Sequence, residues 1–343
     1  MLEDHGVSRM ATEMADQPAV LATLLERRSE IETAVLGAAP RPLTGTILVA
    51  RGSSDNAATS ARYLLAIATG RPAALGSPSL ASRYGARIDF SGYLVIAISQ
   101  SGQTPEIALY LARARAAGAV GIAITNDASS PLADAADVVI DLATGPELAV
   151  PATKTVTAEM LALVLVAAAL GPPPATAAQL DDLPVQVARI LADPAPAMAL
   201  AAKLAGPDRI VTTARGILHG AAQETALKIE EITGKMVVSF SAADFLHGPI
   251  AIAEPGLPVI AFDAPGPTEA DVAKLVAKLH ERGCSVSHAG PRPGADLPWP
   301  SSVPEALAPI LGVVRGQQLA LELARTLEID PDSPAGLTKV TVT

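Results

Sequence analysis

The sequence predicts an α/β protein made of two doubly wound parallel sheets in tandem, each with helices on both faces as a three-layer αβα sandwich. Three observations lead there. Near-continuous apolar runs of strand length alternate with helical stretches, the pattern of strands buried on both faces of a parallel sheet. The chain also aligns with itself, ungapped, at an offset of 164 residues. Ala50-Arg51-Gly52 lies over Ala214-Arg215-Gly216, Thr69-Gly70 over Thr233-Gly234, and Val95-Ile96-Ala97 over Val259-Ile260-Ala261. Such a match indicates one ancestral unit present twice. Finally, 343 residues, half of them hydrophobic, suffice for two domains with separate cores.

From the N-terminus, apolar residues at helical spacing (Met14, Val20, Leu21, Leu24, Leu25, Ile31) predict one or two helices over 10–36. Strands are expected at 46–50, 93–99, 120–125 and 137–142, with helices over 54–69, 105–117 and 157–169. The second half repeats this with strands near 209–213, 236–240, 257–262 and 284–288. Its first helix is expected over 220–232 and a final helix around 305–327. Gly171-Pro172-Pro173-Pro174 marks the connection between halves. The expected division is a helical segment 1–36, a first domain 37–170, a linker 171–197, a second domain 198–328 and a tail 329–343.

Bulk properties exclude some partners. The net charge of −10 argues against nucleic acid or an anionic membrane, both of which select basic surfaces. A small anion remains possible, since it feels the local field. Cys284 is the only cysteine, so no intramolecular disulfide forms and a reducing compartment fits. The histidines and the cysteine lack metal-ligand spacing, and no metal or cofactor is expected. The first residues do not read as a signal peptide. The longest strongly apolar stretch, 160–170, is shorter than the roughly 20 residues needed to span a bilayer. A cytoplasmic protein is expected.

Five segments could carry chemistry. Ser99-Gln100-Ser101-Gly102-Gln103-Thr104 joins a strand to a helix opening at Pro105. A helix N-terminus at the carboxyl edge of a sheet offers backbone N–H groups and a positive dipole end, and hydroxyls add donors. Phosphate is the natural guest; the plainer alternative is that Ser101 or Thr104 only caps the helix. A second turn, Arg51-Gly52-Ser53-Ser54, ends another strand and strengthens the anion reading. Neither turn has a Walker lysine or a dinucleotide glycine pattern, so no nucleotide is implied. Glu224, Lys228 and Glu231 fall on one helix face, where Lys228 could keep one carboxylate ionised while another moves a proton; a solvated salt bridge is the alternative. His247 precedes a Gly-Pro turn and titrates near neutrality, which suits sugar-ring opening, or it simply bonds its loop. The loop 147–154 reaches the same sheet edge as the hydroxyl turns and could touch a ligand through its backbone. Lys339 lies in a proline-rich tail that looks as if it docks, through 340–343, rather than dangles.

Together these segments resemble the sugar isomerase (SIS) family, and most of all the isomerase portion of the glutamine–fructose-6-phosphate amidotransferases. The resemblance covers about 40–343 and rests on five motifs in order: Ser99–Thr104, Glu147–Thr155, Glu224–Glu231, Leu246-His247-Gly248-Pro249 and Leu337-Thr338-Lys339-Val340-Thr341. It implies that Ser99, Gln100, Ser101 and Thr104 hold a sugar phosphate with Gly52, Ser53 and Ser54, and that Val150 and Ala152 add loop contacts. It implies that Glu231 moves the proton between C1 and C2, that His247 assists ring opening from the partner subunit of a homodimer, and that Lys339 approaches the reacting carbonyl. Glu224 and Lys228 match further active-site residues. Two positions depart from the family pattern: the first turn begins with Arg51 where Cys-Gly-Thr-Ser is usual, and Asp244 stands for a glutamate.

The synthases of this family carry a glutaminase domain whose cysteine follows the initiator Met. Here residue 2 is Leu, and only about 40 residues precede the first repeat. Release of ammonia from glucosamine 6-phosphate is therefore expected rather than amination, as in stand-alone deaminases of this family. A fructosamine-6-phosphate deglycase and an aldose–ketose isomerase share the same fold and phosphate grip. A sugar-phosphate sensor is the non-catalytic alternative.

Overall fold

The structure, a computed structural model, describes residues 8–339. Residues 340–343, expected to dock the tail, lie outside the described residues, as do 1–7. The chain forms two compact units that interleave along the sequence, unlike the linear division above. One comprises 19–146 and 155–181. The other comprises 8–18, 147–154 and 182–339.

The first unit holds a parallel sheet of β1 (Gly45–Val49), β2 (Ala73–Leu75), β3 (Tyr93–Ile98), β4 (Val120–Thr125) and β5 (Val138–Asp141), in the order β2-β1-β3-β4-β5. Gly45–Val49 pairs residue for residue with Tyr93–Ala97. Leu94 through Ile98 are fully buried, which is why β3 reads as an unbroken apolar run. One face of the sheet meets Ile107, Tyr110 and Leu111 of the helix Pro105–Ala116. The helix Ser53–Thr69 ends at Gly70, whose φ of 61° supplies the left-handed residue that closes many helices.

The other unit repeats the order as β7-β6-β8-β9-β10, with β6 (Arg209–Ala214), β7 (Met236–Ser241), β8 (Pro258–Phe262), β9 (Ser285–Gly290) and β10 (Leu297–Pro298). Val211, Val259 and Ala261 pack on Phe245, Val272, Leu275 and Leu279. The two edge strands β2 and β10 are absent from the expected elements. They span three and two residues, and β10 ends on a proline, which an edge strand tolerates because no ladder bond is lost.

The N-terminal region folds as three helices, Arg9–Ala15, Gln17–Glu26 and Arg28–Ala38, instead of one or two. Ser8 caps the first by accepting from Ala11 N at 3.2 Å. Asp332 accepts from Arg9 N at 2.7 Å and Met10 N at 2.8 Å, so the tail closes the same helix end. The stretch expected as a linker contains the helix Ala177–Leu191, and the helix Ala195–Leu204 begins inside it. The helix His219–Thr233 packs on the last helix, Ala308–Thr326, at very close range: a Cβ on Gly316 would stand 2.1 Å from Thr225 Oγ1. No helix among the described residues is long and apolar enough to cross a membrane.

Candidate functional site

In a sheet of order 2-1-3-4-5, the chain leaves β1 in one direction and returns at β3 in the other. The crevice beyond their carboxyl ends is where such folds hold ligands. Both hydroxyl turns flank it. Gly52 has φ 56° and precedes the helix Ser53–Thr69; Ser99–Thr104 leads from β3 into the helix Pro105–Ala116. Gly102 has φ 61°, and a Cβ there would lie 2.0 Å from Ser130 Oγ, so only glycine fits. Thr104 is the N-cap residue, yet its side chain makes no cap bond; Ser101 Oγ accepts from Gln103 N at 3.2 Å. Gln103 lies before the helix, so neither Ser101 nor Thr104 caps it with its side chain. Gln100 uses its carbonyl to accept from Asn126 N at 3.0 Å, which fixes the turn. Ser53 is half-buried. Ser54 is buried and donates to Glu159 at 2.9 Å, so its hydroxyl proton is already committed. Arg51 forms a 2.6 Å salt bridge with Glu106 at the start of the neighbouring helix, leaving half its side chain exposed.

The acid–base residues lie in the other unit. Glu224 and Lys228 are almost wholly buried, and Glu231 keeps 22% of its side chain exposed. The face is therefore not a solvated one. Lys228 Nζ lies 3.5 Å from Glu224 Oε1 and donates to Glu231 Oε2. Burial pulls the Lys228 ammonium down, but Glu224, Glu231 and Glu147 together hold it above its usual value. The lysine stays charged.

Glu147, fully buried, reaches Lys339 Nζ at 2.8 Å through one oxygen. Its other oxygen accepts from Thr153 N at 2.9 Å. Val150 and Ala152 sit half-buried on the loop between them. The structure thus gathers Glu224, Lys228, Glu231, Glu147 and Lys339 around one set of charges. His247 stands apart. It is exposed on the turn after the helix Ala242–Leu246, and no hydrogen bond or ion pair among the described residues joins its ring to that set.

Glu147 and Glu159 were not among the expected site residues. Glu147 opens the 147–155 motif and so had a signal. Glu159 had none, because a carboxylate one turn into a hydrophobic helix reads as a solvated position.

Two hydroxyl turns at one sheet's switch point, and a buried Glu-Lys-Glu row on a helix of the repeated unit, define a class: tandem α/β proteins whose two copies carry different polar equipment. The chain belongs to the SIS domain family, which matches residues 46–169 and 203–287. It is 32% identical over 361 residues to the glutamine–fructose-6-phosphate aminotransferase (isomerizing) of Symbiobacterium thermophilum, covering 96% of this chain and 58% of that protein. The chain therefore spans little more than half the length of that relative. A crystal structure from Silicibacter pomeroyi, provisionally named a phosphosugar isomerase, is 30% identical with a TM-score of 0.86, covering 95% of this chain and all of that one. The glucosamine-6-phosphate deaminase of Thermotoga maritima, 22% identical with a TM-score of 0.80 over 98% of this chain and all of that one, shares the fold.

Proposed function

We propose that this protein is an amino-sugar phosphate deaminase/isomerase that converts glucosamine 6-phosphate to fructose 6-phosphate and ammonia. The observation that carries the proposal is the buried Lys228 held between Glu224 and Glu231, with Glu231 alone of the three open to a ligand. A carboxylate beside a charged lysine is a suitable base for a carbon acid next to a carbonyl. In the open-chain sugar, Glu231 takes the proton from C2 and returns it to C1. The resulting C2 imine is hydrolysed by water, which supplies the ketone oxygen and releases ammonia. The Ser99–Thr104 turn and Gly52 bind the phosphate, and Val150 and Ala152 contact the sugar. Lys339 stands near the reacting carbonyl. His247, exposed in its own chain, opens the ring from the second copy of a homodimer.

A sensor would have no use for the buried Glu-Lys-Glu row, whose desolvation is costly. The names of the relatives, an isomerizing aminotransferase and a provisionally named phosphosugar isomerase, point to the same C1–C2 chemistry.

The test is ammonia release from glucosamine 6-phosphate by the wild type and by Glu231→Gln. The variant should lose at least about a hundredfold in kcat with KM little changed, since general-base steps are typically worth that much. A wild type that binds the sugar but neither releases ammonia nor interconverts aldose and ketose would make the protein a sensor.

A further inference from the structure

We propose that Glu13, on the first helix, is a positioning residue for the Lys339 amine: it fixes the loop 147–154 and, through Glu147, sets where that amine stands. This rests on the reading that Lys339 works at the reacting carbonyl.

Glu13 is 6% exposed and lies beside the fully buried Met10 and the nearly buried Met14 on its helix. A carboxylate in such a place is costly unless its oxygens are used. Here both are. Glu13 accepts from Leu148 N, and its other oxygen accepts from Ala149 N at 3.2 Å. These are the two backbone donors directly after Glu147. The loop is therefore pinned on one side by Glu13. On the other, Glu147 accepts from Thr153 N and from Thr153 Oγ1 at 3.3 Å. With one oxygen spent this way, Glu147 offers the second to Lys339 in a single direction.

The residues that follow this helix, its C-cap Asp16 and the next helix's first residue Gln17, are braced twice more against this loop. Asp16 pairs with Lys154 at 2.9 Å, and Gln17 bonds Gln317, whose amide in turn donates to Thr153 O at 3.1 Å. The helix is also tied to the segment that bears the amine, because Asp332 caps its N-terminus seven residues before Lys339. The chain closes a circuit: tail to helix by Asp332, helix to loop by Glu13, loop to tail by Glu147. Plain packing would be served by an apolar side chain at position 13. A buried carboxylate facing Glu147 is justified by the two N–H groups it holds in place.

Trace acylation with acetic anhydride, read by peptide mass spectrometry, reports Lys339 directly. The exposed Lys274 serves as the internal standard. In Glu13→Gln the Lys339 to Lys274 labelling ratio should rise roughly tenfold, the loss expected when a charge-assisted hydrogen bond stops holding the pair together. The kcat for ammonia release should fall with KM unchanged, and Glu13→Asp, which keeps the charge, should restore part of both. A merely structural role would lower the melting temperature and leave the ratio alone. Glu13→Gln with wild-type melting and a wild-type ratio overturns the proposal. If that variant does not fold, Asp332→Asn loosens the same helix from its capped end, and the ratio decides in the same way. Labelling needs no substrate. A wild type that releases no ammonia therefore sinks the deaminase reading while the ratio still tests the role of Glu13.

Discussion

The two sheets place the same kind of crevice at the same point, between β1 and β3 in one unit and between β6 and β8 in the other, and fill them differently. Both first turns read Ala-Arg-Gly with the glycine at positive φ, 56° and 66°, and both following helices end on a left-handed glycine. Both arginines pair with an acid on a neighbouring helix, Arg51 with Glu106 and Arg215 with Asp271. In the first crevice the second turn supplies Ser99, Ser101 and Thr104. In the other it supplies Asp263, held by Arg292 at 3.2 Å, while the Glu305 carboxylate crowds Gly266. That crevice brings its own anions. The helices are exchanged in the opposite sense. Glu224, Lys228 and Glu231 correspond, 164 residues back, to Ser60, Leu64 and Ile67. One copy kept the donors, the other acquired the charges, and a duplicated backbone can hold two chemistries because few side chains decide each.

This contrast can be broken in several places. The largest effect is expected at Lys228. Lys228→Met leaves Glu224 buried without its cation and should cost about 3–5 kcal/mol, read by denaturant unfolding. Leu64→Met, at the matching position of the first copy, should cost less than about 1.5 kcal/mol. Next come the glycines. Gly102→Ala forces a Cβ onto Ser130 at a positive φ, a strain of roughly 1–3 kcal/mol, and should raise KM for the sugar phosphate about tenfold or more. Gly216→Ala, strained in the same way, should lower the melting temperature and leave KM near wild type. Ser101→Ala should raise KM by roughly three- to tenfold with kcat little changed, the worth of one hydrogen bond to a charged group. A defect confined to kcat would remove Ser101 from the phosphate grip.

The smallest effect is a pH dependence at Asp263. Burial raises its carboxyl first, Glu269 adds to this, and Arg292 offsets part of it. A carboxyl whose folded value lies above its unfolded one favours the folded state at low pH and loses that contribution as pH rises through the raised value. Asp263→Asn should therefore melt slightly higher than the wild type at neutral pH. The difference should vanish as pH falls toward the ordinary aspartate value of 3.8. A difference independent of pH would show that the Asp263 charge is not what fills the crevice.

Much of the fold was legible because buried parallel strands leave a strong trace: 120–125 was expected to the residue, and 93–99 overran β3 only by Ser99. β2 left no trace, since Ala73–Leu75 has no β-branched residue and is fixed by pairing with β1. The interleaving of units was not legible either. Nothing local says that 147–154 folds with residues far along the chain; that is decided by distant partners such as the buried Glu13 and the part-buried Lys339. For the site, spacing alone aligned Glu224, Lys228 and Glu231, but whether they were solvated depended on the last helix, which the spacing does not report. Glu13 was invisible for the same reason: its partners are backbone N–H groups 135 residues or more away.

The near-contact at Gly316 gives the Glu-Lys-Glu row a depth control remote from any sugar. Because the missing side chain lets Thr225 and the last helix touch, the smallest addition there must push the helix His219–Thr233 outward like a shim. That helix carries Glu224, Lys228 and Glu231, so the displacement would be felt by all three. The burial of the row thus depends on a hydrogen atom's worth of space on a neighbouring helix.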